Sequence, residues 1–84
     1  MNFVIITRNV GNHHAKNPPT PEQAAEAMED VGGTNVLIPE QEQGQTKIEF
    51  DPPEEGHYQT DYPRALAEVV GNNARATSWA FDWG

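Results

Sequence analysis

The stretch "NFVIITR", residues 2–8, is apolar on both faces and rich in β-branched and aromatic residues, the pattern of a sheet strand covered on at least one side. From Thr20 the period changes. Ala24, Ala25, Met28 and Val31 recur at helical spacing within "TPEQAAEAMEDVGG". There Thr20 reads as the N-cap, Pro21 as the first helical residue, Gln23 as its capping-box partner, and Gly32 with Gly33 as the stop. "TNVLIP" then predicts a second strand ending at Pro39, and a polar connection with Gly44 at its tip leads to "TKIEFDP". In that third strand the alternation is strict. Ile48 and Phe50 point one way and Lys47, Glu49 and Asp51 the other, so the strand has one buried and one wet face and pairs with its predecessor as an antiparallel hairpin.

After the loop "PPEEGHYQT", the segment "DYPRALAEVVGNN" predicts a second helix capped by Thr60 or Asp61. Pro63 falls in its first turn, Leu66, Val69 and Val70 form its apolar stripe, and Gly71 with two asparagines ends it. "ATSWAFDWG" finishes the chain as a strand with Trp79, Phe81 and Trp83 on one face and Ser78, Ala80 and Asp82 on the other. The order β-α-β-β-α-β predicts a single domain of α+β, ferredoxin-like fold. It is a four-stranded antiparallel sheet with two helices on one face and the first and third strands in the middle. The aromatic row of the last strand then joins the core. Because the first two strands are apolar on both faces, the uncovered side of the sheet is expected to carry a patch. It comes from Phe3 and Ile5 or from Val4 and Ile6, with Leu37 or its neighbours.

Size and charge narrow the function classes. A chain of 84 residues buries only about 60% of the surface its unfolded form exposes, and without cysteine it has neither disulfides nor a thiolate zinc site to supplement its core. No run approaches the ~18 apolar residues of a membrane span, and the N-terminus lacks the basic start of a signal peptide, so the chain reads as soluble and cytoplasmic. Thirteen acidic residues against five basic ones give a formal net charge of −8. Phosphate backbones and anionic lipids are repelled by that field, and neither direct nucleic-acid binding nor membrane binding is expected. The same acidity also fits a high-salt habitat or plain solubility.

Catalytic equipment is sparse. His13 and His14 are adjacent, whereas chelation uses histidines four apart on a helix or two apart on a strand, so no metal or other cofactor is expected. Glu49 and Asp51 share a strand face about 7 Å apart, but nothing supplies the apolar pocket that would separate their pKa values. The one serine, Ser78, lies inside a predicted strand, and no P-loop or dinucleotide fingerprint occurs. In element order and length the chain resembles acylphosphatases, which bind phosphate in the loop after the first strand through a glycine-rich, arginine-bearing motif. "RNVGNHH" supplies Arg8 and Gly11 without that motif's spacing or its following arginine, so the resemblance implies the fold and no activity. The RNA-recognition motif shares the order too, yet its sheet exposes aromatics among basic residues, while the third strand here exposes Lys47, Glu49 and Asp51.

What remains is patterned acidity. Glu22, Glu26, Glu29 and Asp30 fall on one side of the first helix with no lysine or arginine four residues on, so the stripe is not paired within the helix. Glu40, Glu42, Glu54 and Glu55 add to the field from loops. The opposite character appears in residues 8–16, where Arg8, His13, His14 and Lys16 make the one locally basic segment. The loop of residues 9–19 that holds most of it is longer than a strand-to-helix link requires, which marks it as a contact surface. These features define the expectation: a non-enzymatic binding protein that meets a basic surface of a protein partner through Glu22, Glu26, Glu29 and Asp30, with His13 and His14 at the contact. Phages and mobile elements use small acidic inhibitors of this kind against nucleic-acid-binding defence complexes, anti-CRISPR proteins among them. The alternative is a homodimer whose open sheet faces enclose a small ligand, with weak enzymatic activity. A structural role through edge strands is the third reading.

Overall fold

A computed structural model describes residues 2–9, 19–53 and 58–84. The elements follow in the order β1 (Asn2–Arg8), α1 (Pro21–Asp30), β2 (Thr34–Leu37), β3 (Gln45–Asp51), α2 (Tyr58–Val70) and β4 (Thr77–Asp82). All pairings are antiparallel, and the sheet order is β2-β3-β1-β4, so β1 and β3 are central and the arrangement is the ferredoxin-like α+β fold. Val4 and Ile6 of β1 face the helices with Ile48 and Phe50 of β3. Ala24 and Met28 of α1 and Tyr62, Leu66 and Val70 of α2 close over them, each of these nine side chains at most 2% exposed.

α1 forms where its end signals place it. The Thr20 hydroxyl accepts from the Gln23 N–H at 3.1 Å, and the Gln23 side chain accepts from the Thr20 N–H at 2.9 Å, satisfying two donors that a helix start leaves free. At the other end Gly33 N–H donates to Met28 C=O and Gly32 N–H to Glu29 C=O, a Schellman closure with Gly32 at φ +94°. Gly33 is held to glycine by space. A Cβ there would lie 2.7 Å from the Met28 carbonyl oxygen and 3.1 Å from the Tyr62 hydroxyl.

Three element boundaries differ from the sequence expectation. β2 stops at Leu37 and not at Pro39. Its register shifts between Thr34 and Leu37, and Asn35 takes φ +50°, a conformation asparagine tolerates. Beyond Leu37 the Gln41 side chain replaces the missing strand: its amide accepts from Lys47 N–H at 2.7 Å and donates to Lys47 C=O at 3.0 Å. α2 begins at Tyr58, so Pro63 sits inside the helix and removes only the bond to the carbonyl of exposed Gln59. The last strand runs Thr77–Asp82, preceded by a 3-10 turn over Gly71–Ala76. Its row Trp79, Phe81 and Trp83 packs against the core while half-buried, since β4 is an edge strand. Phe81 and Trp83 stack at 4.7 Å, and Phe50 meets Tyr62 edge-on at 5.0 Å.

Candidate functional site: the acidic face and the open sheet

At 100° per residue, Glu22, Glu26, Glu29 and Asp30 occupy about 100° of the α1 circumference, and all four are exposed. Ala24, Ala25, Ala27 and Met28 fill the opposite arc and are buried. Packing the alanine face therefore turns the carboxylates outward together. They are spread over about 12 Å of helix axis, one charge per ~4 Å, close to the ~3.4 Å per phosphate along one DNA strand. None has an ion-pair partner among the described residues, where the ion pair found is Lys47 with Glu49 at 3.8 Å. The last turn of α1 contains no basic residue, so Glu29 and Asp30 face the negative end of the helix dipole.

The open face of the sheet has a different chemistry. Phe3 and Ile5, not Val4 and Ile6, lie on it, alongside Lys47, Glu49, Ala80 and Asp82, their partners in register. The bulge in β2 sends Val36 toward the core and Leu37 outward, opposite Glu49. Leu37 and Ile38 are the large exposed hydrophobics among the described residues, at 53% and 43%. The Lys47 ammonium lies over the Phe3 ring, 4.5 Å from its centroid. Beside it a cleft of about 310 Å³ is lined by Ile5, Pro39, Glu40, Glu42, Gln45 and Lys47. By sequence alone Glu40 and Glu42 belong only to a diffuse field. What hydrophobic spacing does not reveal is the Gln41 side chain, whose bonds to Pro39 C=O and to both backbone groups of Lys47 fix the loop between those two acids.

The remaining candidates divide. Glu49 and Asp51 do share the open face, but each carboxylate is engaged, Glu49 by Lys47 and Asp51 by the Asn35 amide at 2.8 Å. Ser78 is exposed within β4. His13 and His14 lie outside the described residues, and among those described no group of three His, Cys, Asp or Glu side chains is placed to hold a metal ion. No described helix is long and apolar enough to cross a membrane. Compared with known proteins, the chain matches no family profile, no curated protein and no solved structure.

Proposed function

We propose that this is a small, non-enzymatic binding protein whose α1 face occupies a basic surface of a protein partner, as an inhibitor or regulator of a nucleic-acid-binding complex does. The observation that carries the reading is the exposed stripe Glu22, Glu26, Glu29 and Asp30, which has no ion-pair partner among the described residues. It includes two charges placed where they oppose the helix dipole, so folding alone gives no reason for them. A groove shaped for a phosphate backbone offers the complementary charge, and association with it is fast and salt-sensitive. A phage or mobile-element inhibitor of a host defence complex is the concrete form of this proposal.

Capture from a host lysate tests it. A specific partner is expected to release as salt is raised and to be displaced by DNA or RNA competing for the same groove. Binding is expected to be lost when Glu22→Lys, Glu26→Lys and Glu29→Lys are combined. Capture that survives both the triple substitution and the nucleic-acid competitor overturns the reading.

A further inference from the structure

We propose that the open sheet face holds a second docking site, for an extended segment of another protein that carries an arginine or lysine beside an aliphatic residue. It lies across the sheet from α1 and does not depend on the acidic stripe. The cleft lined by Ile5, Pro39, Glu40, Glu42, Gln45 and Lys47, at about 310 Å³, is at the low end of the ~300–1,000 Å³ of ligand pockets. That volume suits one long side chain. Ile5 and Pro39 give an apolar bed for its stem, and Glu40 and Glu42 give the anionic ends for its cationic head. Leu37 and Ile38, exposed immediately before Pro39, offer the contact for the neighbouring aliphatic residue.

Two observations favour a cationic occupant over the alternatives. The basic residue of the cleft lining, Lys47, is already held by Phe3, 4.5 Å from the ring centroid, and by Glu49 at 3.8 Å, so Glu40 and Glu42 leave the lining net negative. A second copy of this chain fits poorly. It would set Glu40, Glu42, Glu49 and Asp82 against the same residues of its twin, and each copy carries a charge of −8. Two strongly exposed aliphatic side chains also fall short of the ~2,000 Å² or more, largely apolar, of an obligate homodimer. The hydrogen bonds of Gln41 hold the acid-bearing loop before any ligand arrives, which lowers the ordering cost of binding.

The test is an NMR titration of the full ¹⁵N-labelled chain with a blocked peptide of alternating leucine and arginine, against versions with glutamate for arginine and serine for leucine. Saturable shifts are expected at the amides of Ile5, Glu42, Gln45 and Lys47. Affinity is expected to fall about tenfold or more in Glu40→Lys with Glu42→Lys, and also in Leu37→Ser, which alters only an exposed side chain. At 0.15 M salt, where charges are screened within about 8 Å, it should be unchanged in the α1 triple variant, which separates this site from the one on the helix. Shifts confined to α1, equal binding of the glutamate peptide, no binding, or sedimentation as a dimer that buries these amides would each overturn the proposal.

Discussion

Tyr62 is completely buried, and its hydroxyl has no hydrogen-bond partner among the described residues. The ring fills the space between α2, Phe50 and the stacked pair of Phe81 and Trp83, while the oxygen stands against Gly33. An unsatisfied buried hydroxyl costs roughly 1–3 kcal/mol, and the same loss of solvent pushes the Tyr62 phenol above its ordinary range. Tyr62→Phe keeps the ring and is expected to raise stability by about 1 kcal/mol in urea unfolding. The pH dependence has a definite sign. Above about pH 10 the unfolded chain loses its phenol proton before the folded one does, so the folded state binds more protons and stability falls as pH rises. Below that value this group contributes no slope, and Tyr62→Phe should flatten the alkaline decline. The residue was legible only in part: it precedes Leu66 by one helical turn, but Pro63 argued for a helix start at Thr60 or Asp61, which left Tyr62 at the margin of the stripe.

α1 was the most readable element because each of its signals is local. Thr20, Pro21 and Gln23 start it and Gly32 with Gly33 stop it, all within the span of a few hydrogen bonds. β3 was readable for a related reason, since strict alternation fixes its faces. β2 was not, because "VLIP" is apolar throughout and carries no parity. Asn35, through its positive φ, and the Gln41 amide, through contacts to Lys47 across the hairpin, decide which side chains turn out, and neither shows in hydrophobic spacing. The cleft on the open face depends on both and was therefore invisible in the sequence. The unfavourable end of α1 yields its own prediction. Asp30→Lys replaces a charge that opposes the dipole and removes its repulsion with Glu26, and is expected to stabilise the fold by about 0.5–1 kcal/mol in thermal unfolding while weakening partner binding. A variant that loses stability would show that Asp30 serves the fold.

Acidity on this scale sets how the protein responds to salt. The described structure measures 38 × 24 × 19 Å, whereas charges are felt over about 30 Å at 0.01 M salt and about 3 Å at 1 M. At low salt its carboxylates therefore repel one another across much of the structure, and raising the salt is expected to raise the melting temperature. Each kcal/mol of relief corresponds to about 4–8 °C for a domain of this size. Calorimetry over a salt series checks this, and binding to a basic partner should move the opposite way over the same range. The two ends of the sheet differ as well. β4 is a regular six-residue edge, while β2 is four residues long and broken by its bulge, the kind of edge that resists further pairing. In polymer terms the described sheet has a strand valence of one: two copies joined through β4 would present only their β2 edges, and growth by addition of these strands would stop at the pair.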